Sequence, residues 1–404
     1  MRARALSFAF ALALVGSSVA TRAQAPAAQP AAPDFVRTLV SRLELERYKA
    51  TVKGLTQFGD RRQGTERNRK AVDWIEAQLK SYGCPTERVH YVYDPPPPTP
   101  PAANAAPRPP ADPNARAVGG GRPRGQRART GVNTDPMRQP DERLRALNSE
   151  PTKNGPRELV FCTKVGTSRP DEMYIIGAHM DGHGWGEAAN DDGSGTAIVM
   201  ELARIFSMPD VQTERTIRFA LWNNEETGLN GAQAYVDQRK GLQGIENPKG
   251  SGKYPEPRWL GMIQHDMMMF DHGAPRADGT VSPDQRPEAD VNIEFQSNSR
   301  MAADSQKLAW FLHAANEEYA TVYPAQVGPH MTNTDSTPFM NDVASVSLRE
   351  NERGVHVGSG WDPHWHQPTD VFATFSDKDF LLGLNAAETT LAGVAQLTGA
   401  KAKK

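Results

Sequence analysis

Side chains able to bind a transition metal occur in order along this chain, and most of them follow a short apolar run. They are His179, Asp191, Glu226, Asp266 and His366, and Glu225 stands beside Glu226. Imidazole nitrogens and carboxylate oxygens are the donors that catalytic zinc sites use. A spare carboxylate beside the ligands can take a proton from a water molecule. The set predicts two adjacent metal sites and a general base, which is the equipment of metal-assisted hydrolysis.

The first ligand lies in the segment GAHMD, residues 177–181, directly after an apolar run. Loops at strand ends of this kind hold the ligands of α/β folds. One ring nitrogen of His179 could bind a metal while Asp181 accepts the N–H of the other and fixes the tautomer. His-x-Asp alone is more typical of a polar surface loop, so this segment counts only together with the others.

Two acidic motifs stand where helices begin. In residues 190–195 (NDDGSG) one aspartate could cap the helix, and the other could bridge two metals through its two oxygens. Residues 225–228 (EETG) follow a predicted strand. Adjacent glutamates point in different directions, so one can bind a metal while the other accepts a proton. The alternative is a solvated acidic pair at a helix start.

The remaining ligands are Asp266, after a predicted strand, and the histidines of the segment HWHQPTD, residues 364–370. Asp370 could orient His364 or His366. Each of these segments is also typical of an ordinary turn. The order of the whole set is therefore the observation on which the prediction depends.

Alternating strands and helices surround these motifs. The predicted strands are 87–93, 159–163, 173–176, 216–222, 259–263 and 345–348. The predicted helices are one that starts after Thr65, 193–206, 228–239, and one opened by the capping-box pattern Ser376-x-x-Asp379. This alternation predicts an α/β sheet with helices on both faces.

The beginning of the chain predicts export. Residues 1–25 read as a signal peptide, with basic Arg2 and Arg4, an apolar run over residues 5–15 and small residues after it. We therefore expect a periplasmic or secreted protein with no membrane span after signal removal. The net charge of -2 argues against a nucleic-acid partner. In an exported protein Cys84 and Cys162 could form a disulfide or remain two buried thiols.

Residues 95–155 differ in composition from the rest of the chain. They contain a run of four prolines, three consecutive glycines and a cluster of arginines, with few large apolar residues. Such a segment buries too little surface to offset its ordering entropy. We predict a disordered insertion within one domain that spans residues 34–400.

Taken together, the motifs resemble the secreted di-zinc aminopeptidase family, the bacterial leucine-aminopeptidase type of co-catalytic zinc exopeptidase. The matching segments are 177–181, 190–195, 225–228, Asp266 and 366–370. The resemblance implies a three-layer α/β sandwich with a mostly parallel mixed central sheet. It also implies a peptide or dipeptide substrate.

The resemblance assigns roles to the residues. It implies that His179, Asp191 and Asp266 bind one zinc, and that Asp191, Glu226 and His366 bind the other. It implies that Glu225 is the general acid and base, with Asp181 beside it as a catalytic residue. The same donors also suit manganese and cobalt. Trp365 stands where relatives often have a tyrosine, and it is a candidate substrate contact.

Several functions share these motifs. A related dipeptidase and a carboxypeptidase-like enzyme would use the same metal ligands, and a glutaminyl cyclase would use one zinc on a similar fold. A metal-free binding protein of the same fold is the non-enzymatic alternative, and loss of a ligand would favour it. A serine hydrolase is disfavoured because the chain has no G-x-S-x-G motif.

Overall fold

A computed structural model of the protein describes residues 34–95, 131–271, 290–320, 322–329, 334–350 and 362–403. The predicted signal peptide, residues 1–25, lies outside these ranges. Among the helices within these ranges, none is both long enough and apolar enough to cross a membrane.

An eight-stranded sheet lies at the centre of the described structure. Its strands are β1 (Thr86–Tyr93), β2 (Gly155–Lys164), β3 (Arg169–His179), β5 (Arg215–Trp222), β6 (Arg258–His265), β7 (Val291–Phe295), β8 (Ala325–Gly328) and β9 (Ser345–Arg349). The strand order is β1-β2-β5-β3-β6-β9-β7-β8. Strands β5, β3, β6 and β9 run parallel, whereas β1, β2 and β7 pair antiparallel with their neighbours towards the centre. The predicted mixed, mostly parallel sheet is confirmed.

Eight α-helices are present in the described ranges. They are α1 (Phe35–Val40), α2 (Leu45–Thr56), α3 (Glu66–Ser81), α4 (Glu142–Asn148), α5 (Gly193–Phe206), α6 (Asn230–Arg239), α7 (Ala302–Tyr319) and α8 (Asp377–Thr398). Short 3-10 turns span Pro136–Arg138, Lys240–Leu242, Thr337–Phe339 and Phe372–Thr374. A separate two-stranded ribbon pairs β4 (Val211–Gln212) with β10 (Lys401–Ala402).

Alternation along the central strands buries both faces of the sheet. In β5, Phe219 and Leu221 belong to the larger apolar core, which includes side chains of α2, α5 and α8. Ala220 and Trp222 of the same strand belong to a second core, which includes Tyr235 of α6. Because successive side chains of a strand point to opposite faces, these two cores lie on either side of the sheet. The three-layer α/β sandwich is therefore confirmed.

Helix caps explain where two important helices begin. The Asp192 carboxylate accepts the Gly195 N–H at 2.9 Å and opens α5. Ser376 and Asp379 form the predicted capping box of α8. Both arrangements satisfy main-chain N–H groups that lack a partner inside the helix.

Cys84 and Cys162 form a disulfide. It joins the residues just before β1 to β2, where Thr86 is the register partner of Cys162. The alternative of two separate buried thiols is thereby excluded.

The prediction of disorder over residues 95–155 is wrong for the part that the structure describes. Residues 131–155 contain the turn Pro136–Arg138 and helix α4, whose first turns are capped by the Asp135 and Asp141 carboxylates. Polar contacts rather than a large buried apolar area hold this segment in place. Its low content of large apolar residues therefore gave no sign that it is ordered. The remaining residues of the predicted insertion, 96–130, lie outside the described ranges.

Candidate metal and catalytic site

The candidate site lies at the carboxyl ends of three adjacent parallel strands. β3 ends at His179, β5 ends just before the segment that carries Glu225 and Glu226, and β6 ends just before Asp266. His179 is the register partner of Trp222, and Ala178 is that of His265. Neighbouring strand ends therefore bring side chains from distant parts of the sequence to one edge of the sheet.

Asp191 lies between two histidines. One carboxylate oxygen, Oδ1, is 3.3 Å from Nε2 of His179, and the other, Oδ2, is 3.0 Å from Nε2 of His366. The His366 nitrogen is also 3.0 Å from Oε2 of Glu226. The His179 nitrogen is 3.8 Å from Oδ1 of Asp266. The structure thus brings all five ligands predicted from the sequence into one cluster. Asp191 lies between the His179 side and the His366 side of this cluster.

The two adjacent aspartates have different contacts. Asp192 is buried, and it accepts the main-chain N–H groups of His179 at 3.1 Å, Gly195 at 2.9 Å and Met267 at 3.2 Å. It therefore ties β3, α5 and the loop after β6 together. This network leaves Asp191 as the aspartate that faces the histidines.

The orientation of the His179 ring differs from the prediction. Its Nδ1 lies 2.9 Å from the main-chain oxygen of Asp181, whereas the Asp181 carboxylate accepts the main-chain N–H of Glu225 at 3.0 Å. Donation from Nδ1 to that main-chain oxygen leaves Nε2 with a lone pair for a metal. The Asp181 side chain instead positions the backbone at Glu225, and burial raises its pKa to about 6.

The two glutamates have opposite electrostatic environments. Burial raises the pKa of Glu225 well above its usual range, and the neighbouring Glu226 carboxylate adds to this effect, although His179 opposes it. Burial also acts to raise the pKa of Glu226, but His183 and His366 outweigh it and lower that pKa to about 2. Glu225 thus has a high proton affinity, whereas Glu226 stays ionised, as a metal ligand must be.

His183 belongs to the same cluster, although it lies outside the motifs that predict the other ligands. Its Nε2 is 2.9 Å from Oε2 of Glu226, and its ring centre is 4.1 Å from that of His366. His183, Glu226 and His366 form one of the three residue groups of the described chain whose geometry could hold a metal ion. The available signal was its position four residues after His179, in the same loop.

Arg349 and Asp370 hold parts of the cluster in position through hydrogen bonds. Arg349 is buried and donates from Nη2 to Oδ2 of Asp266 at 2.7 Å, so Oδ1 is the Asp266 oxygen near His179. The Asp370 carboxylate accepts the main-chain N–H groups of Asn190 at 2.8 Å and Asp191 at 3.1 Å. Asp370 therefore orients the backbone of the Asp191 loop rather than a histidine ring.

An open cavity of about 220 Å³ gives access to the cluster. Its lining residues are His179, Asp191, Glu225, Glu226, Gly228, Asp266, Trp365 and His366. The Trp365 ring stacks on the His366 ring with centroids 3.9 Å apart and 27° between the planes. Trp365 thus forms part of the wall that a substrate would meet.

The donor set fits a transition metal. Oδ2 of Asp191, Oε1 of Glu226 and Nε2 of His183 are buried and have no hydrogen-bond partner among the described residues. Buried polar atoms of native proteins are normally paired. The contacts of 3.0–3.3 Å between Asp191 and the two histidines also match the spacing of two donors on one ion. A mixture of imidazole and carboxylate donors suits zinc.

The structure is thus a three-layer α/β fold with a cluster of candidate metal ligands at the carboxyl ends of its central strands. Residues 159–387, more than half of the chain, match the model of the family described as Peptidase family M28. The chain belongs to this family.

Individual relatives agree with this assignment. The chain is 39% identical over 251 residues to a probable lipoprotein aminopeptidase, LpqL, of Mycobacterium tuberculosis. The aligned part makes up 60% of this chain and 45% of LpqL. It is 34% identical over 76 residues to carboxypeptidase Q of Xenopus laevis, over 19% of this chain and 16% of that protein. The chain thus spans less than half the length of either curated relative. The solved structure of an aminopeptidase from Aneurinibacillus sp. strain AM-1 has the same fold, with a TM-score of 0.57, 17% identity, and coverage of 91% of this chain and 97% of that one.

Proposed function

We propose that this protein is an exported aminopeptidase that binds two zinc ions and hydrolyses the N-terminal bond of a peptide. The observation that carries the proposal is the position of Asp191, which turns one oxygen to His179 at 3.3 Å and the other to His366 at 3.0 Å. A carboxylate placed between two imidazoles in this way could contribute one oxygen to each of two adjacent metal ions.

His179, Asp191 and Asp266 would hold one ion, and Asp191, Glu226 and His366 would hold the other. When bound, such ions polarise a carbonyl group and lower the pKa of a nearby water molecule. The protein contributes the fixed positions of the donors. Asp192, Asp370 and Arg349 hold those donors through the hydrogen bonds described above.

Glu225 is the residue that we assign to proton transfer. It lines the cavity beside the ligand cluster, and burial raises the pKa of its carboxyl group. A carboxylate with raised proton affinity can accept a proton from the attacking water and return it to the leaving amine. The Asp181 carboxylate keeps this glutamate in place by accepting its main-chain N–H.

The side chains that line the cavity favour the amino end of a peptide over its carboxyl end. Carboxylates of Asp191, Glu225, Glu226 and Asp266 line it, and the described lining residues include no lysine or arginine. Apart from the metal ions themselves, the described lining offers a terminal carboxylate no lysine or arginine side chain to bind. This observation ranks the aminopeptidase above a carboxypeptidase-like enzyme.

A panel of blocked peptides tests the choice of substrate. With zinc-loaded protein, we expect cleavage of C-terminally amidated peptides and no cleavage of the same peptides after N-acetylation. A carboxypeptidase gives the reverse pattern, and a dipeptidase cleaves only free dipeptides. A glutaminyl cyclase releases ammonia from N-terminal glutamine without breaking a peptide bond, and any of these patterns would overturn the proposal.

Export is the second part of the proposal. It is supported by the sequence of residues 1–25 and by the Cys84–Cys162 disulfide, since disulfides persist mainly outside the cytoplasm. Mass spectrometry of the protein recovered from a bacterial host's periplasm or medium should show an N-terminus between residues 20 and 30. Recovery of the uncleaved chain in the cytoplasm alone would contradict export.

A further inference from the structure

We propose that His183 is an additional ligand of the metal ion held by Glu226 and His366. This inference rests on the proposed metal-dependent function, because it adds a donor to one of its two sites. The other donors of that site come from loops after β3 and β5 and from the loop that precedes α8. His183 lies in the first of these loops, between His179 and Asp191.

The spacing of the atoms supports a shared ion. Nε2 of His183 and Nε2 of His366 approach the same Glu226 oxygen, Oε2, at 2.9 Å and 3.0 Å. Two atoms bound to one zinc at about 2.0–2.2 Å lie about 2.8–3.6 Å apart when the bond angle is about 90–110°. Both histidine nitrogens therefore lie at a distance from this oxygen that suits two atoms of one coordination shell, and all three donor atoms lie within 4.8 Å of one another.

A hydrogen bond to Glu226 does not explain the position of His183. Although Nε2 of His183 is close to Glu226, the contact lacks hydrogen-bond geometry, and this buried nitrogen has no hydrogen-bond partner among the described residues. Oε1 of Glu226 is also buried without such a partner. A cation between the two side chains would satisfy both groups.

The loop that carries His183 is fixed against the loop that carries His366. Gly184 has a positive φ of 99°, and a Cβ atom at this position would lie 2.4 Å from the main-chain carbon of His366. Only glycine therefore permits this approach. The two rings meet edge to face, at an interplanar angle of 88°, so each ring nitrogen reaches the Glu226 carboxylate without a clash.

Zinc titration of the metal-free protein tests the inference. We expect two binding steps for the wild type. In His183→Ala, one step should weaken by about 100-fold or more, beyond the 10–100-fold loss typical of a residue that only orients a ligand. His90→Ala, at an exposed position of β1, controls for weak binding by surface histidines and should match the wild type. If the wild type binds no zinc, the proposed function fails; if it binds two ions and His183→Ala does the same with equal affinity, only the His183 inference fails.

A measurement on the wild type covers the case in which His183→Ala does not fold. After loading with ¹¹³Cd²⁺, a heteronuclear spectrum of ¹⁵N-labelled imidazoles should show cadmium coupling for three histidines, His179, His183 and His366. Coupling for His179 and His366 alone would overturn the inference.

Discussion

At the scale of single residues, the two adjacent glutamates of the site differ in their electrostatic surroundings. Glu226 faces two imidazoles, and these lower its pKa to about 2 against the effect of burial. Glu225 lies in the same cavity, and burial raises its pKa. The order of the pair in the sequence does not show which glutamate has which environment, because that depends on the positions of His183 and His366.

Exchanging each glutamate for glutamine tests the two roles. Glu225→Gln keeps the shape of the side chain but cannot accept a proton, so we expect two equivalents of zinc to remain and kcat to fall by about 10²–10⁴-fold. Glu226→Gln replaces an ionised ligand by a neutral amide, so one equivalent of zinc should be lost. Zinc content and kcat are measured side by side on both variants. Loss of zinc in Glu225→Gln with retention in Glu226→Gln would reverse the assignment.

Several residues of the site could be predicted from the sequence because they follow apolar strands. His179, Glu225, Glu226 and Asp266 are of this kind, and sheet geometry alone brings their strand ends together. Arg349 and His183 could not be predicted in the same way. Arg349 ends β9 and resembles an ordinary strand-end cation, and its role depends on the neighbouring position of β6 in the sheet.

At the scale of structural elements, the segment 131–148 connects the loops that carry the histidines. The side-chain amide of Gln139 donates to the main-chain oxygens of Trp185 at 2.7 Å and Pro368 at 2.9 Å. The Asn133 N–H donates to the His366 oxygen at 3.0 Å, and Asn148 donates to the Gly186 oxygen at 2.7 Å. We infer that this segment holds the His183 and His366 loops at their mutual distance.

Gln139→Ala tests this role. The change leaves two main-chain oxygens without their donor, and unpaired buried groups cost about 1–3 kcal/mol each. We expect a lower melting temperature of the metal-free protein and zinc binding weakened by about 10-fold or more. Met137→Ala, whose side chain is exposed, is the matched control in the same segment and should leave both quantities unchanged. Equal behaviour of the two variants would show that the segment does not position the loops.

Helix α7 shows why some elements were not identified from the sequence. Its apolar residues Leu308, Ala309 and Leu312 are buried, but Trp310 and Phe311 between them are exposed. The exposed rings interrupt the single apolar face on which recognition of a helix depends. By contrast, α5 and α8 carry clear start signals at Asp192 and Ser376, and both were predicted.

At the scale of the whole molecule, the strand order brings the candidate metal ligands together. β3, β5 and β6 are separated in sequence by helices but adjacent in the sheet, so three acidic or imidazole-bearing loops converge at one edge. Periodicity predicted the layers and the alternation of elements. The antiparallel strands at the sheet edges and the ordered segment 131–155 depend on contacts between distant residues, which local patterns do not contain.

The central claim is that this edge of the sheet binds two metal ions that hydrolysis requires. The most direct test is metal analysis of the purified protein together with its aminopeptidase activity before and after chelation. We predict close to two equivalents of zinc per chain, loss of activity on complete chelation, and recovery when zinc is restored. Full activity after exhaustive removal of metal would contradict the account.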